Sequence, residues 1–326
     1  MAVAASALAM LLSDASGLGQ AAIPVRIMCV GDSITAGYTD NPNWSVPFQF
    51  GYRSGVYMRL KTNGYPVQFV GASLEPWNGL FGLPTNTPSP DLRTVDQDHH
   101  RGYGGWGTGA ILSNIGSWLT ADNPDVVLLM IGINDNGSVT ARNNLSNIVR
   151  ITVTTKPNAD VIVAQITPMA TYSQSIVDYN TYIRNTLVPT YQAQGKRVST
   201  VNQYTNLLTG GSIDPSLFSN GINHPNAVAY DRLAQTWYAG IQVVHPAPPH
   251  VMFASVKASG DNVILTGTGG AAHGGYHVLS STNLELPMSG WPTNAQVGAF
   301  DEHGNFSYTN PISPGVPEQF FRLQIP

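Results

Sequence analysis

Val25-Arg26-Ile27-Met28-Cys29-Val30-Gly31-Asp32-Ser33-Ile34 decides how the chain folds. Its first part is a short apolar run rich in β-branched residues. A run of that length, closed by turn residues, reads as a strand buried on both faces. Gly31-Asp32-Ser33 then brings turn and cap chemistry before the pattern becomes apolar again, which marks a helix start. The stretch is therefore a strand, a tight turn and a helix.

The same grammar repeats outward. Val67–Val70, Val126–Ile131 and Val161–Ile166 are further compact apolar runs, and Val198–Val201 is a weaker fifth. Between them lie helical stretches at Ser54–Thr62, Ile111–Leu119, Val139–Val153 and Ile176–Gln194, with Pro189 expected to kink or end the last. Ala227–Val243 is a further helix. Strands alternating with helices predict an α/β fold, a doubly wound, flavodoxin-like parallel sheet of roughly five strands. Two long stretches interrupt the rhythm. Tyr38–Phe50 carries Trp44, Phe48 and Phe50, and Glu75–Asp98 carries Trp77 and Phe81. Aromatics on long loops at strand C-termini can line a cleft or form satellite core.

Both ends of the chain differ from this middle. Ala2–Leu12 is apolar and Gly19-Gln20-Ala21 fits a small-x-small cleavage site, so residues 1–22 read as a leader remnant, with a short packed helix as the alternative. That reading carries the expectation of a secreted or periplasmic bacterial protein. Residues 23–244 form the main domain, and the Pro-rich His245–His250 is a stiff linker. From Val251 to Pro326 helical signal disappears. Val251–Val256, Asn262–Thr266, Gly275–Ser280 and Gln319–Leu323 alternate between turn residues, which predicts a small all-β sandwich. Its Trp291, Phe300, Phe306, Tyr308, Phe320 and Phe321 read as core rather than as a glycan platform.

Composition narrows the function. Of 326 residues only 10% are charged, the formal net charge is -4, and no apolar run is long enough to span a membrane. Neither a nucleic-acid footprint nor a polybasic membrane patch is expected. The single cysteine, Cys29, lies inside the first apolar run and reads as a core residue.

Four short blocks carry chemistry. Ser33 follows the first strand at a helix N-terminus, where N–H groups face a developing oxyanion. Gly104-Gly105-Trp106 lies in the loop after the second strand, and Gly lets backbone N–H approach a ligand. Gly132-Ile133-Asn134-Asp135 follows the third strong strand, and the Asn134 amide can donate to a substrate oxygen. Asn223-His224-Pro225-Asn226 precedes the last helix, and an imidazole there suits a general base near neutral pH. Positions just past the strands of a doubly wound sheet meet along one edge. Asp96, Asp98, His99 and His100 match no strong zinc spacing and read as structural hydrogen bonds or a loop hinge. Asp135 reads as a turn-stabilising carboxylate.

Together the four blocks resemble those of the SGNH (GDSL) hydrolase superfamily, over about Ile23 to Val244. The resemblance implies Ser33 as nucleophile and oxyanion donor, Gly105 and Asn134 as the other donors, His224 as base, and neither cofactor nor metal. Gly51-Tyr52-Arg53, Phe69-Val70-Gly71 and Asp96 through Trp106 are further similar to carbohydrate esterase family 3, whose members are acetylxylan esterases. The implied reaction is hydrolysis of O-acyl, chiefly O-acetyl, esters of an acylated polysaccharide or a small ester through an acyl-enzyme. A short-chain aryl or lipid esterase, a thioesterase, and a secreted glycan-binding protein are the alternatives. One position departs from the pattern. The family places Asp three residues before the base, and here that position is Gly221. Asn220, Asp214 or a backbone carbonyl serving a Ser-His dyad are the candidates for orienting the imidazole.

Overall fold

The strand that opens the pattern, β1 (Val25–Gly31), lies in the middle of a parallel sheet, which is why its buried run has no polar alternation. A computed structural model describes residues 24–39, 51–75, 92–246, 251–286, 290–291, 293–312, 314–316 and 318–324. The leader stretch, the linker core 247–250, and the aromatics Trp44, Phe48, Phe50, Trp77 and Phe81 lie outside those residues. The chain divides into two compact units, with Pro24–Pro246 forming one.

In that unit β1 pairs with β2 (Val67–Val70) on one side and β3 (Val126–Met130) on the other. Beyond β3 lie β4 (Asp160–Gln165) and β5 (Val198–Asn202), all parallel. The order 2-1-3-4-5 is the flavodoxin-like one. A two-residue strand, Arg101–Gly102, also pairs with the end of β1. It is too short to leave a sequence signal.

Helices α1 (Ser33–Ala36) and α2 (Tyr52–Thr62) follow β1. Next come α3 (Thr108–Asp122), α4 (Val139–Thr155) and α5 (Gln174–Tyr182). After α5 the helix runs on through a π-helical turn, Ile183–Leu187, into α6 (Val188–Gln192). Pro189 thus does not end the helix, because the wider turn before it absorbs the proline ring and its missing donor. The last helix, α7 (Ala227–Val244), lies against α2, while α3 lies against α4. With right-handed crossovers the reversal of strand order puts these pairs on opposite faces. No helix among the described residues is long and apolar enough to cross a membrane.

The strand order reverses between β1 and β3, and their C-terminal ends are very close there. A Cβ on Gly31 would sit 2.2 Å from the Met130 carbonyl oxygen and 2.3 Å from Thr35 Oγ1. Only glycine lets the chain turn into α1 at that point.

Among the described residues the second unit holds six antiparallel strands in two three-stranded sheets. Strands β6 (Met252–Ser259), β7 (Asn262–Thr268) and β10 (Phe306–Pro311) make one, with β7 central. Strands β8 (Gly275–Ser281), β9 (Thr293–Ala299) and β11 (Phe320–Gln324) make the other, with β8 central. Val263 and Leu265 from one sheet share a core with Tyr276, Val278 and Leu323 from the other. Trp291, Phe300, Phe306 and Tyr308 are buried, and Phe320 and Phe321 are half-buried. The module's aromatics are therefore used in packing.

Candidate active site

Ser33 is the first residue of a single helical turn that begins where β1 stops. Asp32 caps it, its Oδ1 accepting the Ile34 N–H at 2.9 Å. Gly37, at φ 99°, closes the turn by donating to the Ser33 carbonyl. Burial pushes the Asp32 carboxyl up to about 7, opposed by the Ile34 N–H and reinforced weakly by Asp135. Behind the turn, the fully buried Arg53 of α2 donates to the carbonyls of Thr35 at 3.0 Å, Ala36 at 3.1 Å and Asp98 at 2.9 Å. The turn that carries the serine is thus held at both ends.

His224 comes to Ser33 from the far end of the domain. Its Nε2 lies 2.7 Å from Ser33 Oγ, and both side chains are buried. With the imidazole protonated at Nδ1, the serine O–H donates to Nε2. The loop bearing His224 is fixed locally. Asn226 caps α7 through Ala229 N–H at 3.0 Å, and Ser219 N–H donates to the His224 carbonyl at 2.9 Å. The Tyr38 ring stacks on the imidazole with centroids 6.2 Å apart and planes at 23°.

Asn220 and Asp214, the candidates for orienting the imidazole, make hydrogen bonds to other groups. Asn220 Oδ1 accepts the backbone N–H groups of Ile222, Asn223 and His224 at 2.9, 3.0 and 3.0 Å, so it shapes the loop backbone. Asp214 caps a short 3-10 turn. Its oxygens accept from Ser216 N–H at 3.0 Å, Ser216 Oγ at 2.6 Å and Thr209 Oγ1 at 2.7 Å, which holds its carboxyl below the usual range. Those bonds take up the Asp214 carboxylate, and none of them joins it to the imidazole.

Gly105 and Asn134 occupy the neighbouring loops. Gly105 has φ 74°, a left-handed conformation that favours glycine, and nothing lies within 4 Å of where a Cβ would sit. Asn134 is exposed and its Nδ2 donates to the Trp106 carbonyl at 2.8 Å. The same nitrogen carries a second N–H for a ligand. Asp135 does more than stabilise its own turn. Its Oδ2 accepts the Thr108 N–H at 2.7 Å, capping α3 from another loop. A Cβ on Gly107 would meet that carboxylate at 2.6 Å. The local sequence offers no signal for this cap, which joins the loops that carry Gly105 and Asn134.

The histidine pair is structural. His100 is buried, accepts the Gly102 N–H at Nδ1 (2.9 Å), and therefore donates from Nε2 to the Glu75 carbonyl at 2.7 Å. Burial pushes its pKa well below the ordinary value, so it stays neutral. His99 Nε2 lies 2.8 Å from Asp96 Oδ1 on the surface.

A buried serine held by a histidine at the switch point of a flavodoxin-like sheet, beside exposed N–H donors, defines an α/β serine hydrolase. Similarity to known proteins narrows this class. Residues 29–232 match the model of the GDSL-like Lipase/Acylhydrolase family, and the chain belongs to that family. Among solved structures it is similar to the "Clostridium thermocellum family 3 carbohydrate esterase", at 29% identity and a TM-score of 0.52 over 68% of this chain and 98% of that one. A family 3 carbohydrate esterase from Talaromyces cellulolyticus shares the fold, at 22% identity and a TM-score of 0.51 over 68% and 98%. "Putative endoglucanase X" of Acetivibrio thermocellus is 34% identical over 131 residues, 39% of this chain. The chain spans about half the length of that curated relative, 54%.

Proposed function

We propose that the protein is a serine esterase that removes O-acyl groups, chiefly O-acetyl, from carbohydrates such as xylan. The observation that carries the chemistry is the 2.7 Å approach of His224 Nε2 to Ser33 Oγ at the C-terminal edge of the sheet. The likeness to a family 3 carbohydrate esterase supports the carbohydrate acceptor. Arg53, in one of the stretches that resemble that family, clamps the serine turn.

In the reaction Ser33 Oγ attacks the ester carbonyl while His224 Nε2 takes its proton. The carbonyl oxygen gains negative charge and is held by N–H groups of Ser33, Gly105 and the Asn134 side chain. As the tetrahedral intermediate collapses, the imidazolium gives its proton to the leaving alcohol and the acyl group stays on Ser33. Water, deprotonated by His224, then attacks the acyl-enzyme, and Oγ leaves with the proton from His224. Asn220 contributes by fixing the backbone of the loop that carries the base.

Ser33→Ala is expected to abolish hydrolysis of p-nitrophenyl acetate while the melting temperature is kept. Residual turnover at the wild-type level would end the assignment. Acetate release from acetylated xylan, against esters of longer acyl chains, tests the substrate. A preference for eight carbons or more over acetyl would favour a lipid esterase instead.

A further inference from the structure

We infer that Glu75 is a positioning residue that sets the oxyanion loop and the aromatic ring on the base as one unit. The inference rests on the esterase reading above. Residues 73–75 brace the strip that leads to Gly105. Ser73 N–H donates to the His100 carbonyl at 3.0 Å, and Ser73 Oγ donates to the Gly102 carbonyl at 2.7 Å. The Glu75 carbonyl accepts from His100 Nε2. The brace ends in the Glu75 carboxylate. A single oxygen, Oε2, accepts the Gly104 N–H at 2.5 Å and the Tyr38 hydroxyl at 3.1 Å.

Those two donors lead to the two sides of the reaction. Gly104 immediately precedes Gly105, so holding the Tyr103–Gly104 peptide anchors the start of the turn from which the Gly105 N–H projects. Tyr38 carries the ring stacked on His224, and its carbonyl is pinned by the Tyr230 hydroxyl at 2.6 Å. Gly104 also has little room to move elsewhere: a Cβ there would lie 3.2 Å from Glu75 Oε2 and 3.3 Å from Tyr38 Cε2. Both bonds need reach and a two-lone-pair oxygen. Neither needs negative charge, because an amide oxygen also accepts two hydrogen bonds.

That distinction defines the test. Glu75→Gln keeps the reach and loses the charge, whereas Glu75→Asp keeps the charge and loses one methylene of reach. Both are assayed on p-nitrophenyl acetate beside Ser33→Ala, with thermal melting as the folding control. Glu75→Gln is expected to hold kcat within about threefold. Glu75→Asp is expected to lose about tenfold to a hundredfold in kcat with KM nearly unchanged, as a small misplacement of an oxyanion donor does. Wild-type kcat in Glu75→Asp, a change confined to KM, or a larger loss in Glu75→Gln than in Glu75→Asp would each overturn the proposal. If the shortened side chain prevents folding, Tyr38→Phe carries the test. It removes one hydroxyl and keeps the ring, and about a threefold to tenfold loss of kcat is expected, wild-type kcat being the refuting result. Activity in Ser33→Ala would sink the esterase reading itself. An inactive Ser33→Ala beside a fully active Glu75→Asp would sink only the role of Glu75.

Discussion

The two halves of the site are built differently. Ser33 and His224 are 4% and 8% exposed and sit on a capped turn and a cross-braced loop. Gly105 and Asn134 are exposed, and their loops are held by hydrogen bonds between loops, from Asn134 to Trp106 and from Thr108 to Asp135. The Ser33–His224 half, proposed to transfer the proton, is buried and held by caps and backbone bonds, so its geometry follows from folding. The Gly105–Asn134 half, proposed to hold the oxyanion, is fixed by polar contacts between loops, so small changes there should tune the rate without unfolding the protein.

The sharpest way to break this contrast is Asn134→Ala. It should lower kcat by about a hundredfold to a thousandfold, as loss of one oxyanion donor does, and leave KM and melting nearly unchanged. A loss below about tenfold in steady-state assays would mean that the exposed half does little for the transition state.

A smaller effect is expected on the buried half, in stability rather than rate. Asp32 has a folded value of about 7 against an ordinary 3.8, because burial disfavours its charge. Below pH ~4 it is protonated in both states. As pH rises toward 7 the unfolded chain releases the proton and the folded one keeps it, so stability falls through that window and levels off above it. The upper bound on this fall is ~4 kcal/mol. Asn at the same position still caps the turn, so Asp32→Asn should remove this part of the decline. Urea unfolding at pH 5 and pH 8 measures it. Parallel changes in the two proteins would show that the carboxyl ionises without cost.

The least effect belongs to Asp214→Asn. Its carboxylate serves Thr209 and Ser216, so kcat/KM should stay within about twofold of wild type. A hundredfold loss would return Asp214 to the imidazole and overturn the contrast drawn here.

What was legible in the sequence follows the same division. Strands β1 to β4 announce themselves because a strand covered on both faces is largely apolar. Ser33 and His224 were readable because each stands at a boundary that the fold brings to one edge. Strands β9 and β10 were missed. Thr293–Ala299 is a run of small and polar residues with little alternation, and Phe306–Pro311 offers only Phe306 and Tyr308 before Asn and Pro. Both are strands because of partners far away in the chain, β8 and β7. The cap from Asp135 and the bridge from Glu75 were hidden for a like reason. Each joins residues 27 or 29 positions apart, and no local pattern encodes such a contact.

Cys29 gives the molecule its own clock. The chain's single thiol is fully buried in β1, the strand flanked by β2 and β3, and burial pushes it up to about 12. The sulfur lies beside Tyr52 and Arg53 of α2, so an alkylating reagent reaches it only when α2 lifts from the sheet or the sheet itself opens. The labelling rate therefore reports how often the layer around the strand that leads to Ser33 opens, with no engineered probe and no second cysteine to confuse the signal.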